Sequence, residues 1–81
     1  MANIEIYTGP ACGYCEAAKT LLNEKGMLFT ELDITDVGVL ATFRERLPRV
    51  KSVPQVFING KHIGGYEDLV RVVNNGSFAE R

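Results

Sequence analysis

The stretch Ile-Glu-Ile-Tyr-Thr-Gly-Pro-Ala-Cys-Gly-Tyr-Cys, residues 4–15, decides the fold. Its first residues alternate between apolar and polar side chains, a pattern that predicts a β-strand over residues 3–7. Thr-Gly-Pro-Ala is a turn-rich connection, and the apolar spacing beyond it predicts a helix from Gly13 to Lys25. The stretch therefore places two cysteines, Cys12 and Cys15, between the end of a strand and the start of a helix.

The rest of the chain continues the alternation of strands and helices. Strands are predicted over Leu28 to Ile34, Val56 to Ile58 and Lys61 to Ile63, and helices from Asp36 to Leu47 and from Tyr66 to Val73. Asn59-Gly60 is typical of a tight hairpin, so the last two strands are antiparallel. The first β-α-β unit joins parallel strands through a right-handed crossover. The order β-α-β-α-β-β-α predicts an α/β fold, with a four-stranded mixed sheet flanked by three helices and a frayed tail over residues 77–81.

Length and composition limit the domain organisation and the partners. The chain has 81 residues, enough for a single domain over residues 1–81. Nine basic residues and ten acidic ones give a net charge of -1, which argues against nucleic acid or an anionic membrane as the main partner. No apolar run approaches the ~18 residues of a membrane span, and the first residues lack the basic segment of a secretory signal. We therefore expect a cytoplasmic protein.

The position of the cysteine pair favours thiol redox chemistry. The first turn of a helix presents unpaired backbone N–H groups and about half a positive charge, which would stabilise a thiolate at Cys12. Cys15, one turn further along, would be less exposed, so that one thiol attacks a disulfide and the other resolves the mixed disulfide. An inert pair and a zinc site are the alternatives. The zinc site is disfavoured because the chain adds only His62 to the two cysteines, and we predict no metal site within one chain.

Two other motifs each allow a structural and a functional interpretation. In Ser52-Val53-Pro54 the proline either simply starts the following strand or follows a cis peptide bond, which is uncommon. The segment Gly64-Gly65-Tyr66-Glu67-Asp68 is either a strand-to-helix turn with an acidic first turn or a cradle for a carboxylate at the N–H groups of the helix start. Taken singly, the two motifs leave both choices open, and the turn is favoured for the second.

In combination, these motifs resemble those of the dithiol glutaredoxins. Cys12-Gly13-Tyr14-Cys15 after the first strand, Val53-Pro54 before the third and Gly64-Gly65-x-x-Asp68 at the last helix follow the order of that family. The resemblance covers the chain from Asn3 to about Val73. It implies a thioredoxin fold, a cis Val53–Pro54 bond and glutathione bound as a co-substrate in a groove between the motifs. The residues that it implies for contact with glutathione are Tyr14, Ser52, Val53, Pro54, Gly65, Tyr66, Glu67 and Asp68.

The resemblance also implies an enzymatic function. That function is glutathione-dependent reduction of protein disulfides and glutathione mixed disulfides, with Cys12 as the nucleophile and Cys15 as the resolving thiol. The implied partners are glutathione and disulfide-containing or glutathionylated proteins, with ribonucleotide reductase as one example, and the implied state is a monomer. Two other functions stay open. One is a dimer that holds a [2Fe–2S] cluster with Cys12 and one glutathione from each chain, and the other is a redox-coupled interaction module without turnover.

Two positions depart from the family pattern. Many members have proline at the position of Gly13, and many have lysine at the position of Gly9, where it helps to bind the glycyl carboxylate of glutathione. Arg49 and Lys51 are the candidates to replace that lysine. Arg44, Arg46, Arg49 and Lys51 together form a basic cluster, which is predicted to be solvated and to attract anionic glutathione or acidic partners.

Overall fold

The predicted order of strands and helices is found in residues 2–76, the part of the chain that the computed structural model describes. The strands are β1 (Ile4–Thr8), β2 (Thr30–Asp33), β3 (Gln55–Ile58) and β4 (Lys61–Gly64). The helices are α1 (Gly13–Glu24), α2 (Val37–Arg46) and α3 (Tyr66–Asn75). The sheet order is β2-β1-β3-β4, so β1 and β3 are its central strands. The predicted tail, residues 77–81, lies outside the described residues.

Strand pairing confirms the mixed sheet. β1 runs parallel to β2, with Glu5 opposite Thr30, and antiparallel to β3, with Ile4 opposite Ile58. β4 pairs antiparallel with β3, and the turn between them uses positive φ angles at Asn59 (54°) and Gly60 (82°). The α/β fold predicted from the motifs is therefore confirmed, including the hairpin that places β4 at the edge of the sheet.

β2 is shorter than the predicted strand, which was expected to begin at Leu28. Its parallel ladder starts where Thr30 lies opposite Glu5, one residue into β1, so the residues before Thr30 have no partner on that strand. Leu28 is accordingly 78% exposed, whereas Phe29 is half-buried and packs against the core. β2 is therefore shorter than its apolar run, because its pairing with β1 begins only at Thr30.

Apolar clusters cover both faces of the sheet. The cluster between the sheet and helices α1 and α3 consists of Ile4, Ile6, Ala18, Leu22, Val56, Ile58, Leu69 and Val73. The cluster on the α2 side consists of Tyr7, Phe43, Leu47 and Phe57. Because both faces of β1 are covered, Tyr7 is fully buried, although the sequence alternation groups it with the polar Glu5. Its ring centroid lies 5.1 Å from that of Phe43.

Local signals set the ends of the helices. Asp36 caps α2 as predicted, because its Oδ1 accepts a hydrogen bond from the Val39 N–H at 3.0 Å. Gly26, with φ at 69°, takes the left-handed conformation directly after α1 and its C-cap. Within residues 2–76, no helix is both long enough and apolar enough to cross a membrane.

Candidate active site

Cys12 and Cys15 lie at the N-terminus of α1, shortly after the end of β1, and are joined in a disulfide. Cys12 is the N-cap residue and has an extended backbone. Ala11, just before it, has φ at 51°, in a region that non-glycine residues rarely adopt. Cys15 lies in the first turn and is fully buried, whereas Cys12 is partly exposed. Of the two sulfur-bearing residues, only Cys12 is open to solvent.

Backbone groups around Cys12 favour a negatively charged sulfur. The Cys15 N–H donates a hydrogen bond to Cys12 Sγ, with 3.1 Å between nitrogen and sulfur. The positive end of α1 acts at the same place. In the reduced protein, this hydrogen bond and the helix dipole both stabilise a thiolate at Cys12 relative to the thiol. The arrangement supports the nucleophile expected there.

The loop before β3 lies against Cys12. The Val53 carbonyl oxygen is 3.5 Å from Cys12 Sγ, and the Val53–Pro54 bond is cis, as the resemblance implies. The loop after β1 approaches Val53 closely at Gly9, because a Cβ at that position would lie 3.2 Å from Val53 Cγ2. Glycine at this position therefore lets the two loops that flank the disulfide pack together.

Gln55 was not among the predicted site residues, yet it holds the loop before β3. It is only 7% exposed, and its Nε2 donates to the Ser52 carbonyl oxygen at 3.2 Å and lies 3.3 Å from Ser52 Oγ. Its Oε1 lies 2.8 Å from His62 Nε2. Since Gln55 Nε2 faces the oxygens of Ser52, Oε1 is the acceptor and His62 Nε2 carries the proton. The signal that could have found Gln55 is a polar residue between the proline and an otherwise apolar strand.

The N-terminus of α3 is held by a carboxylate. Asp68 Oδ2 accepts a hydrogen bond from the Gly65 N–H at 3.1 Å. Asp68 Oδ1 accepts from both terminal nitrogens of Arg71, at 3.1 and 3.0 Å. Tyr66 and Glu67 are the first residues of the helix, and the first N–H groups of a helix have no partner within it. These two N–H groups are therefore free of the helix's own hydrogen bonds.

A groove of about 370 Å³ joins these elements. It is lined by Tyr14, Ser52, Val53, Pro54, Gln55, Gly65, Tyr66, Glu67 and Asp68. This set contains every non-cysteine residue that the resemblance implies for glutathione, so the fold brings the predicted residues together. Tyr14, which is 64% exposed, lies near Tyr66, with ring centroids 5.8 Å apart.

A polar network next to the site connects α1 with β2. Glu31 Oε2 accepts hydrogen bonds from the Thr8 hydroxyl at 2.8 Å and from Lys19 Nζ at 3.0 Å. The Thr8 hydroxyl is the main cause that lowers the pKa of Glu31 below its ordinary value, and Lys19 adds to the effect. The pKa of Lys19 is raised by its pairing with Glu16 and then with Glu31. Thr8, the last residue of β1, is thereby fixed just before the loop that carries Cys12.

The predicted basic cluster is only partly correct, because Arg46 is not a solvated member of it. Its Nη2 pairs with Glu5 Oε1 and its Nη1 donates to the Tyr7 hydroxyl, both at 3.1 Å. Its Cζ lies 3.7 Å from the centroid of the Phe57 ring. Glu5, and then Tyr7, raise the pKa of Arg46. The sequence pattern did not reveal this contact, since the side chain crosses from α2 to two strands that are distant in sequence. The other basic residues of the cluster are exposed.

The described residues contain no group of three or more His, Cys, Asp and Glu side chains that could hold a metal ion. His62 of β4, the remaining candidate ligand for the zinc alternative, is hydrogen-bonded to Gln55 of β3. No zinc site is assembled within this part of the chain.

Comparisons with known proteins agree with this geometry. The family model of the glutaredoxins matches residues 4–63. Glutaredoxin 3 of Escherichia coli strain K12 is 49% identical over 80 residues, which cover 96% of this chain and 94% of that protein.

Solved structures of glutaredoxins have the same fold. The structure of glutaredoxin 1 from Francisella tularensis complexed with cacodylate is similar with a TM-score of 0.78 and 28% identity, over 95% of this chain and 98% of that one. The buckwheat glutaredoxin–glutathione complex is similar with a TM-score of 0.77 and 25% identity, over 95% of this chain and 73% of that one.

Proposed function

The chain belongs to the glutaredoxin family and is a thiol–disulfide oxidoreductase, and from this premise we propose that it reduces protein disulfides and glutathione mixed disulfides with electrons from glutathione. The family uses glutathione as a reductant. The observation that supports this function most directly is the cysteine pair itself. A partly exposed Cys12 at a helix start is joined to a fully buried Cys15, and a groove lies next to them.

The first half of the cycle reduces the substrate. The Cys12 thiolate attacks one sulfur of the substrate disulfide, and the other substrate sulfur leaves as a thiolate and takes up a proton. Cys15 then loses its proton and attacks Cys12 Sγ, which forms the Cys12–Cys15 disulfide and releases the second substrate thiolate. When the second substrate thiolate is also protonated, the substrate has gained two electrons and two protons. The cysteine pair has lost two electrons and the Cys15 proton, and the other proton comes from the solvent.

The second half of the cycle returns the pair to the dithiol state. Cys12 Sγ, the accessible sulfur, is attacked by a glutathione thiolate, and Cys15 leaves as a thiolate that takes up a proton. A second glutathione thiolate then attacks the glutathione sulfur of this mixed disulfide, which restores the Cys12 thiolate and releases glutathione disulfide. Both attacks occur on the solvent side of the pair, so Cys15 stays buried throughout.

Glutathione is held in the groove by backbone groups and one carboxylate. Its cysteinyl backbone pairs with the backbone of Val53 as an added strand, which brings its sulfur to Cys12. Its γ-glutamyl carboxylate accepts hydrogen bonds from the N–H groups of Tyr66 and Glu67, because a helix start attracts anions. Its ammonium lies near Asp68. The lining of the groove by these residues supports this binding mode.

A glutathione-coupled disulfide reduction assay on the wild type and two variants tests the function. We expect Cys12→Ser to abolish all thiol transfer, because it removes the only accessible nucleophile. We expect Cys15→Ser to keep the reduction of glutathione mixed disulfides, which needs one protein thiol and free glutathione. The opposite pattern, with Cys15→Ser inactive and Cys12→Ser active, would show that the two roles are reversed.

The setting of the reaction is also part of the proposal. The protein works as a monomer in the cytoplasm, where the glutathione pool is reducing enough to recharge a glutaredoxin. Its acceptors are disulfide-containing or glutathionylated proteins, with ribonucleotide reductase as one candidate. Gel filtration of the reduced protein tests the monomer, and turnover with oxidised ribonucleotide reductase tests that acceptor.

Cluster binding is the weaker alternative. A [2Fe–2S] cluster takes four thiolates, and each chain offers only Cys12, because Cys15 is fully buried. Two glutathione molecules would have to supply the rest. Anaerobic reconstitution with iron, sulfide and glutathione, followed by gel filtration, separates the two functions. We expect a colourless monomer, and a coloured dimer that requires Cys12 but not Cys15 would favour the cluster.

A further inference from the structure

A second concave surface lies close to the redox pair, on the α2 face of the sheet. We call it the α2 pocket, and it has a volume of about 500 Å³. Its lining consists of Ile34, Leu40, Phe43, Arg44, Pro48, Val50 and Lys51. The walls are therefore mainly aliphatic and aromatic, and the only charged side chains among them are cations. The mechanism proposed above makes no use of this surface.

The cations at the α2 pocket are available to a partner. Arg44, Arg49 and Lys51 are exposed, and none of them has an ion-pair partner among residues 2–76, in contrast to Arg46, which is bound to Glu5. The net charge of the whole chain is -1, so the positive charge here is local. An acidic ligand would be attracted to this surface and not to the molecule as a whole.

The α2 pocket adjoins the glutathione groove at the end of the sheet where the cysteines lie. Lys51 directly precedes Ser52 and Val53, which line the groove. Ile34 of the pocket and Val53 of the groove both approach Gly9, with 3.7 and 3.2 Å respectively to a Cβ built there. The groove side carries Glu67 and Asp68, so the redox pair lies between an acidic surface on the α3 face and a basic one on the α2 face.

We infer that the α2 pocket docks an acidic segment of the protein whose disulfide Cys12 attacks. The segment places an apolar side chain against Leu40 and Val50, and its neighbouring carboxylates pair with Arg44 and Lys51. The inference rests on the proposed reduction of protein disulfides and adds the class of protein substrate. Charge complementarity selects this occupant, because a basic segment would meet unpaired cations and a purely polar one would not fill an apolar pocket.

Three disulfide-containing peptides of equal length test the inference. Each carries the same leucine near its disulfide, flanked by aspartates, asparagines or lysines. The kcat/KM for their reduction is measured with the wild type, Arg44→Glu and Lys25→Glu, at low and high salt. Lys25→Glu makes the same charge change at the C-cap of α1, about 20 Å along the helix from Cys12. A small glutathione mixed disulfide, which binds in the glutathione groove and carries no acidic peptide segment, reports basal activity.

We expect the wild type to prefer the aspartate peptide over the asparagine peptide about tenfold at low salt, as two exposed ion pairs would give. The preference should shrink at high salt. Arg44→Glu should remove most of the preference for the aspartate peptide, whereas Lys25→Glu should leave this preference unchanged. Both variants should keep basal activity. Equal kcat/KM for the two peptides, or equal losses in the two variants, would overturn the docking site. Loss of wild-type basal activity would instead overturn the proposed function.

Discussion

At the scale of single residues, the surroundings of the two cysteines give them different roles. Cys12 receives a hydrogen bond from the Cys15 N–H and is partly exposed, whereas Cys15 is fully buried in the first turn of α1. Both are cysteines in the same short loop-to-helix segment, so chemistry alone does not distinguish them. Their difference comes from their positions at the helix start. The helix start stabilises a thiolate at Cys12, and the first turn of the helix buries Cys15.

Gln55→Met tests whether Gln55 positions the glutathione-binding loop. The change keeps the volume of the side chain but removes its hydrogen bonds to Ser52 and His62. We expect the KM for a glutathione mixed disulfide to rise about fivefold, as the loss of one or two modest hydrogen bonds would give. The kcat should change less than twofold, because the surroundings of Cys12 are unaltered. Steady-state kinetics separates the two constants.

His62→Phe is the matched control for Gln55→Met. It keeps a ring next to Phe57, with which the His62 ring now lies at 5.1 Å between centroids. It removes only the hydrogen bond to Gln55 Oε1, so the contacts between Gln55 and Ser52 survive. A smaller rise in KM is expected. An unchanged KM in Gln55→Met, with only a lower thermal midpoint, would mean that Gln55 is a structural residue without influence on binding.

At the scale of secondary-structure elements, side chains that cross between elements fix the helices to the sheet. Arg46 ties the end of α2 to β1 and β3, because it contacts Glu5, Tyr7 and Phe57. The Thr8–Glu31–Lys19 network ties α1 to the edge strand β2. Both connections lie close to the ends of elements that carry the active site or the α2 pocket.

Arg46→Met should destabilise the protein. It keeps much of the aliphatic stem but removes two hydrogen bonds and the cation above the Phe57 ring, and it leaves Glu5 without its partner. We expect the free energy of unfolding to fall by about 1–3 kcal/mol. Arg44→Met is the matched control, since Arg44 is exposed, and it should change stability by less than about 0.5 kcal/mol. Urea denaturation measures both, and equal effects would contradict the role given to Arg46.

The contribution of Glu31 to stability should depend on pH. Because its pKa in the folded protein lies below the ordinary value of 4.5, the ionised form stabilises the fold above that pH. This stabilisation is lost as the pH falls through the folded pKa. Glu31→Gln should therefore be less stable than the wild type at pH 7 by up to about 1 kcal/mol, since the pair is partly exposed. The difference should vanish in acid. If the stability difference between Glu31→Gln and the wild type persisted at pH 2, it would arise from side-chain packing and not from the charge of Glu31.

At the scale of the whole molecule, the sequence was sufficient for the features that have local signals. The hairpin at Asn59-Gly60 and the cap at Asp36 need only neighbouring residues, and the β-α-β unit allows one handedness. These features set the order of strands and helices. That order in turn brings Tyr14, the proline loop and the start of α3 to one groove.

Two features that the sequence did not predict, the burial of Tyr7 and the pairing of Arg46, depend on contacts that are distant in sequence. Period-two alternation assumes one solvated face, but β1 is covered on both, so Tyr7 is buried. Arg46 looked like a solvated charge because its partners lie on strands remote in sequence. The orientation of the Gln55 side chain depends in part on its hydrogen bond with His62 across the hairpin. Such pairings follow from the assembled fold and not from the local pattern.

The central place of β1 has a consequence for the protein's synthesis. A ribosome makes β1 before the other strands, yet one edge of β1 stays unpaired until β3 has been made, because Ile6 pairs with Val56. At about 5–20 residues per second, the nascent chain spends several seconds with that edge open. The loop and helix start that carry the cysteines are therefore translated early. The loop before β3, which lies against Cys12 in the folded protein, is translated late. Oxidants that reach the growing chain meet two thiols that are not yet distinguished by burial.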